Sequence, residues 1–470
     1  MKVLLIMPPA PPGLTYPSAV HPRFFPPLGI GYIAAIIEKK GYKVRIADLY
    51  LQKWETAFPV LKGEQYDIIG ITSIFPSRTG VHSLIKLAAA LQPKAKIVLG
   101  GPFATVMAER LAALPQVAAV VVGEAEVTAP ELFDAIRDGR PLSGVKGIVY
   151  SEGGQVIKTG PRGFIEDLDS LPFPAFHLYD LKSYLRFQPG NFNPVSQFLR
   201  DLVSGRRWAP VLTTRSCDFK CQFCAVQITC GSKARSRSGR NVADEFERLH
   251  RVYGYRDIFL QDAAFPVGSE LSNSLCAELL KRGLRINWAT NARADMVTRD
   301  SLRMLKAAGC SYLLYGMESG SPGILRNIHK QETLEQIIEA IVLSREAGIN
   351  VGVHILVGYP GENEETIAET IRVIKKIRRH IHTLYVRPLM VFPGTALYRK
   401  VIADGQLGEE DFFRPSRRFF IPYTKERSWE TLSGWTQRIQ SAVKPFDFLK
   451  RISMAAARLA RLSQRSRHNG

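Results

Sequence analysis

The sequence predicts an α/β protein made of two parallel-sheet units: a doubly wound, Rossmann-like sheet first, then a partial TIM-like (β/α)6 barrel. Three observations carry this. Short apolar runs alternate with amphipathic helical stretches over residues 1–150. The alternation stops at an acidic run with alternate prolines, Glu166-Asp167-Leu168-Asp169-Ser170-Leu171-Pro172-Phe173-Pro174, and six further βα repeats follow between 201 and 400. A chain of 470 residues is long enough for two or three domains with their own cores, and 46% hydrophobic with 23% charged residues is a globular composition.

In the first unit, strands are expected at Val3 to Met7, Lys43 to Asp48, Ile68 to Ser73, Ile97 to Leu99 and Ala118 to Val122. Helices fall between them, at Ile30 to Lys40, Val81 to Leu91, Val106 to Leu114 and Thr128 to Arg137; Gly41 stands where a left-handed cap belongs. Doubly wound sheets bind ligands at the carboxyl ends of their strands. Those ends carry Pro26-Pro27-Leu28-Gly29, Thr72-Ser73, Gly100-Gly101-Pro102 and Gly123-Glu124-Ala125-Glu126. Glycines there let the backbone approach a bulky ligand. No G-x-G-x-x-G follows the first strand, which argues against a dinucleotide.

Residues 151–200 read as a linker. Ser151-Glu152-Gly153-Gly154-Gln155 is a hairpin-like turn, and the acidic, proline-broken run is an extended crossover. Tyr184 to Arg207 is aromatic, polar and without periodicity, so no element is assigned.

The six strands of the second unit, 201–400, are expected near 209–214, 257–261, 286–290, 312–317, 351–357 and 383–391. Helices near 241–253, 270–282, 298–308, 333–347, 364–379 and 395–403 follow them. The fourth helix opens on a capping box, Thr333 with Gln336, and stops at Gly348. Barrel chemistry sits at the carboxyl ends of the strands. In order these carry Cys217 to Cys224, Gln261-Asp262, Asn291-Ala292-Arg293, Gly316 to Gly320, Gly358 to Glu362, and Arg387-Pro388.

Cys217, Cys221 and Cys224 lie within one loop, so their thiolates can share one metal centre. Spacing alone leaves two readings. One is a 4Fe–4S cluster held by three thiolates with one iron open. The other is a closed zinc site with Cys230 as fourth ligand. Disulfides at these separations would not staple a fold of this size. Cys276 and Cys310 sit in apolar helix-like patterns and are assigned to the core. The clustering points to a reducing, cytoplasmic setting.

The cysteine loop at the first of six strand ends resembles that of the radical S-adenosylmethionine (SAM) superfamily. The resemblance implies that Cys217, Cys221 and Cys224 hold a 4Fe–4S cluster whose open iron chelates SAM. SAM is then cleaved to methionine and a 5′-deoxyadenosyl radical, with an external electron donor. It further implies Phe223 near adenine, Asp262 at the SAM amino group or substrate, and Arg293 at the SAM carboxylate. Glu318 would meet the ribose hydroxyls or amino group, Gly358 to Glu362 the adenine, and Arg387 the substrate. Cys230 is then a non-ligand.

The strand-end residues of the first unit, Pro27, Gly29, Ser73, Gly100, Gly101 and Glu124, resemble in order and spacing the cobalamin-binding domain joined to radical SAM domains in one large family. The likeness covers residues 1–400. It implies a pocket for the cobalamin nucleotide tail, with the corrin facing the second unit. Asp-x-His-x-x-Gly is missing after the first strand, and His21, followed by Pro22 and Arg23, does not fit it, so a base-off, His-off cobalamin is expected. Residues 1–216 hold no Cys, which sets aside methylthiotransferases with their second, N-terminal cluster. The resemblance implies methylation of an unactivated carbon of a small-molecule or lipid-like substrate. A cobalamin-bearing enzyme doing cyclisation, ring contraction or oxidation is the first alternative. A basic, zinc-dependent RNA-binding protein is the second.

The formal charge of +20, from 63 Lys and Arg against 43 Asp and Glu, favours anionic partners, although nucleic acid is not the one expected. In the tail, 401–470, a helix over 446–464 is expected with Phe448, Ile452, Ala455, Leu459 and Leu462 on one face and Lys450, Arg451, Arg458, Arg461 and Arg465 lining the rest. It reads either as a peripheral contact with an anionic membrane or as a basic helix docked on the barrel or frayed. The apolar run at Met1 to Met7 is too short for a signal peptide or a membrane span.

Overall fold

A computed structural model describes residues 1–8, 25–49, 54–182, 184, 208–415, 423 and 427–443. The first unit is a seven-stranded sheet in the order β2-β1-β3-β4-β5-β6-β7. Its strands are β1 (Lys2–Met7), β2 (Lys43–Asp48), β3 (Ile68–Thr72), β4 (Lys96–Gly100), β5 (Val117–Val121), β6 (Ile148–Glu152) and β7 (Gln155–Lys158). The first five are parallel. β1 is buried from Val3 to Met7, as a central strand covered on both faces must be. Helices Leu28–Lys39, Arg78–Leu91 and Thr128–Arg137 cover it.

Two details differ from expectation. The expected helix from Val106 is two short ones, Pro102–Val106 and Ala108–Ala112, separated at Met107. The turn at Gly153-Gly154, with φ of 59° and 80°, joins β6 to β7, and this antiparallel hairpin extends the first sheet. The sheet therefore runs to Lys158, past residue 150, where the sequence places the start of the linker.

The second unit is a six-stranded parallel sheet, β15-β14-β13-β12-β11-β8. Its strands are β8 (Trp208–Val211), β11 (Asp257–Phe265), β12 (Asn287–Ala292), β13 (Cys310–Glu318), β14 (Asn350–Val357) and β15 (Thr383–Pro388). β8 and β15 are its two edges, so the barrel is partial. Alternate side chains divide its two faces. Ile258, Leu260, Leu313, Tyr315, Val353 and Ile355 pack outward under the helices. Trp208, Phe259, Ala289, Tyr312, Leu314 and Tyr385 pack inward. Phe25, from the β1–helix connection of the first unit, joins the inward set and stacks on Phe259 at 5.6 Å.

The sixth barrel helix is not where the sequence places it. Helix Ala396–Ala403 buries Leu397 and Val401 in the cluster shared with the first unit, beside Phe75 and Phe103. The barrel's last strands are covered instead by helix Trp429–Ser441, whose Leu432, Trp435 and Ile439 enter the barrel core. Their i, i+3, i+7 spacing makes one face of a helix. The helix expected over 446–464 lies outside the described residues, as do most of Tyr184 to Arg207 and all of His21 to Arg23. No helix among the described residues is long and apolar enough to cross a membrane.

Candidate functional site

The cysteine loop hangs from a short antiparallel ribbon, β9 (Thr214–Arg215) with β10 (Arg235–Ser236). The sequence predicts one strand, 209–214, here; the structure breaks it at Leu212-Thr213. Asp262 is the cause. Its carboxylate accepts from the Thr213 amide at 2.8 Å, the Thr214 amide at 2.9 Å and the Thr213 hydroxyl. Asp262 shares the outward parity of Ile258 and Leu260 and is 1% exposed. It clamps the start of the cysteine loop and does not open to the mouth, where the resemblance would put it at the SAM amino group. Its neighbour Gln261 has the inward parity and reaches the cavity described below.

Inside the loop, Gln227 Nε2 donates to the carbonyls of Cys217 at 2.7 Å and Phe219 at 3.1 Å. The Cys224 amide donates to the Cys221 carbonyl at 3.0 Å. Gln222 stitches the loop to its surroundings: its amide donates to Ile328 O, its carbonyl accepts from Leu397 N, and its Oε1 accepts from the Tyr359 hydroxyl at 2.6 Å. The three thiols are half-buried and unbridged. Cys221 feels the charge of Cys224, and Cys224 that of Cys217. Burial pushes the Cys221 thiol up to about 11 and raises that of Cys224, while Lys330 opposes both shifts. Among the described residues, no three His, Cys, Asp or Glu side chains gather round a single ion position. A 4Fe–4S cluster offers a separate iron to each thiolate, and the three unbridged thiols of this one loop can each take one.

Over this loop stand two carboxylates and two cations. Glu318 ends β13 in the left-handed region, with φ of 63°. That reversal folds its carboxylate back over Gly316, and a Cβ at 316 would overlap Glu318 Oε1. Lys330 Nζ lies 3.6 Å from Glu318 Oε1 and 3.1 Å from Glu332 Oε2. Burial raises the Glu318 pKa, with Lys330 pulling the other way. Phe223 is partly buried against the apolar cluster between the units, whereas Phe219 carries the Arg293 guanidinium at 3.3 Å from its ring centre.

Two of the residues expected to face SAM are committed elsewhere. Arg293 forms a two-pronged pair with Asp295, at 3.0 and 2.8 Å, and donates to the carbonyls of Lys330 and Gln331. Glu362 is 2% exposed and turns back to accept from the Gly358 amide at 2.5 Å. Burial raises its pKa to about 7. Gly358, at φ of 100°, packs against Leu432, where a side chain would clash. Lys330 is the cation that sequence reasoning does not pick out. A lysine just ahead of the Thr333 cap looks like an ordinary helix-end charge; its place follows from left-handed His329 and Gln331 on either side.

Between the two units lies a cavity of about 470 Å³. Pro27, Gly29, Gly100, Gly101 and Glu124 line it, as the sequence expects. Its other wall is the flank of the cysteine loop, with Arg215, Ser216, Val226, Thr229 and Cys230. Leu5, Met7, Val98, Val121 and Phe133 give it an apolar floor. A side chain at Gly29 would meet nothing within 4 Å, so the helix start leaves room for a ligand. Gly101 has φ of 95°, and a Cβ there would press on Ser73 O at 2.6 Å. Ser73 does not line the cavity. Its hydroxyl donates to Gly100 O at 2.8 Å and accepts from Ala104 N at 3.0 Å, which fixes the turn after β4. Cys230 is a cavity-wall residue whose carbonyl accepts from Arg235 at 2.8 Å. The strand floor, the open space at Gly29 and the wall formed by the cysteine loop suit a cofactor lodged between the two units.

Family models agree with this division. Residues 211–374 match the radical SAM superfamily and residues 19–133 the B12 binding domain. An uncharacterized methyltransferase of Pyrococcus horikoshii is 29% identical over 410 residues, 87% of this chain and 84% of that protein. The cytidylyl-2-hydroxyethylphosphonate methyltransferase of Streptomyces wedmorensis is 28% identical over 78% of this chain and 75% of its own. The structure of the radical SAM methyltransferase TsrM from Kitasatospora setae, with cobalamin and a 4Fe–4S cluster bound, shares the fold, with a TM-score of 0.67 and 20% identity over 86% of this chain and 75% of that one. The cofactors of these two domain types are a 4Fe–4S cluster, SAM and cobalamin. With the cysteine loop and the cleft both in place, the chain carries a B12 binding domain ahead of a radical SAM domain.

Proposed function

We propose that this chain is a cobalamin-dependent radical SAM methyltransferase acting on an unactivated carbon of a small molecule, with an external electron donor. The observation that carries the reading is the shared cleft. One wall is the strand ends of the first sheet and the other is the flank of the loop with Cys217, Cys221 and Cys224. When bound, the cluster with SAM supplies a 5′-deoxyadenosyl radical and cobalamin supplies a transferable methyl group. The protein's own part is orientation and exclusion of water. In this reading the three thiolates hold the cluster, Glu318 with Lys330 meets the polar groups of SAM, and Pro27, Gly29, Gly100 and Gly101 border cobalamin. The methyltransferase names of the two relatives described above support methylation, while relatives of similar identity named as anaerobic magnesium-protoporphyrin IX monomethyl ester cyclases keep the cyclisation alternative in the test below.

The test is anaerobic reconstitution with iron, sulfide and cobalamin, followed by SAM and a reductant. Wild type forms 5′-deoxyadenosine and Cys221→Ala does not. A product that gains a methyl group supports methylation. An unchanged carbon count points to cyclisation, ring contraction or oxidation. Colourless protein with stoichiometric zinc would contradict the reading altogether. The first unit then takes residues 1–158, the linker 159–200 and the barrel 201–400, with helix Trp429–Ser441 of the 401–470 extension completing the barrel core. Membrane contact and a lipid-like substrate rest on residues 446–464. Equal liposome flotation with and without 444–470 would end that part.

A further inference from the structure

The two stems of the cysteine loop grip the first unit through a buried set of four charges. Arg215, two residues before Cys217, pairs Nη1 with Glu124 Oε1 at 3.2 Å and Nη2 with Glu126 Oε1. Arg235, on the returning stem, holds Glu124 in two prongs, at 2.7 and 3.0 Å. Glu124 also accepts from the Ile165 amide at 2.9 Å, and Arg235 donates to the Ile165 carbonyl at 2.6 Å. All four side chains are 7% exposed or less. Two guanidinium and two carboxylate groups cancel, and no member of the set can leave without stranding a buried charge. Glu124, Glu126 and Arg215 at the same time form the wall of the cavity between the units. The Arg215 guanidinium also faces the Tyr32 ring, 5.6 Å from its centre, on the helix that lines the opposite side.

From this we infer that Arg215, Arg235, Glu124 and Glu126 are positioning residues that couple the two cofactor sites, so that cluster loading and cobalamin binding strengthen each other. The inference rests on the cofactor assignment above. Anything that orders the cysteine loop fixes both of its stems, and through them the carboxylates of the cobalamin wall. Anything that fills the cavity presses on Glu124, Glu126 and Arg215 and so fixes the stems. Two ligands that bias one shared element are linked, and the linkage is reciprocal.

The experiment compares hydroxocobalamin affinity, by absorbance titration under anaerobic conditions, for full-length protein with its cluster reconstituted and after chelator has removed it. The expected result is binding at least about fivefold tighter in the cluster-loaded form, the lower end of usual coupling. Saturating hydroxocobalamin should slow loss of the cluster to chelator to match. In Glu126→Gln, which keeps the shape and loses the charge, the gap should fall below about twofold. Arg215→Lys, which keeps the charge and loses the fork, should fall between Glu126→Gln and wild type. Thermal unfolding checks that each variant is folded. Should either fail to fold, the two wild-type measurements decide by themselves. Equal cobalamin affinity with and without the cluster would overturn the inference while leaving the cofactor assignment standing. Wild type that binds no cobalamin in either form would overturn both. A full gap retained in folded Glu126→Gln would show that coupling runs elsewhere and overturn the residue assignment.

Discussion

Glu318 occupies a left-handed backbone position that a residue with a side chain rarely takes, and the space it fills exists because residue 316 has no side chain. Gly316→Ala should therefore displace the carboxylate from Lys330 and weaken SAM binding about tenfold, roughly 1.4 kcal/mol, with the cluster retained. Equilibrium dialysis of SAM against the reconstituted variant checks this. Asp262→Asn replaces a three-bond acceptor with a group that strands at least one buried donor. It should cost about 1.5–3 kcal/mol of stability and leave SAM affinity of the folded fraction unchanged. Affinity lost at full stability would return Asp262 to the SAM site. Glu362 carries a pH signature. Its folded pKa is raised, by burial, from 4.5 to about 7. Its stabilising contribution is thus fully present below 4.5 and is lost as pH rises through about 7, on the order of 3 kcal/mol. Glu362→Gln should flatten that part of the stability profile measured by denaturant titration. At this scale the thiols and the strand-end glycines were legible because their residue type fixes their chemistry. Asp262, Arg293 and Glu362 were not, because a charged residue at a strand end reads alike whether it faces the mouth or a neighbouring loop. Strand parity separates Gln261 from Asp262 by one position, and the sequence leaves that register open.

At the scale of elements, most strands and helices follow from apolar period and caps. Ser269, Thr298, Thr333, Asn363 and Thr395 each accept from a first-turn amide, as helix N-caps do. The exception is the closing helix of the barrel. The stretch nearest β15, near 395–403, reads as the closing helix, and nothing local in the sequence hands that place to 429–441. Ala396–Ala403 turns to the first unit because Gln222 of the cysteine loop accepts from its Leu397 amide and Phe412 packs on its Tyr398, contacts between residues far apart in the chain. Trp429–Ser441 then covers β14 and β15, with Trp435 Nε1 donating to Glu364 Oε1. Trp435→Ala should cost about 3–5 kcal/mol, read as a lowered Tm, and should loosen Gly358 through Leu432. A Tm within a degree or two of wild type would mean that this helix is not part of the barrel core.

Among the described residues, contacts of two kinds join the units. One is apolar, where Phe75 meets Phe103, Phe392 and Phe412 with ring centres about 6 Å apart. The other is the buried charge set around Glu124. Burial alone would raise that carboxylate, yet Arg235, the Ile165 amide and Arg215 hold it below 4.5. Its contribution is therefore complete above 4.5 and is lost as pH falls through the lowered folded value, so acidification should weaken this joint between the units. Both sheets were legible in outline, since alternating βα patterns admit few arrangements. The joint between them was not, because Arg215 and Arg235 look in sequence like two more cations in a chain of net charge +20. The central claim remains that three thiolates leave one iron of a cluster open to SAM beside the cobalamin cleft. Electron paramagnetic resonance of the reconstituted, reduced protein tests it most directly. The expected result is a reduced 4Fe–4S signal that changes when SAM is added and disappears in Cys221→Ala. A protein with no iron–sulfur signal, or one whose signal ignores SAM, would contradict it.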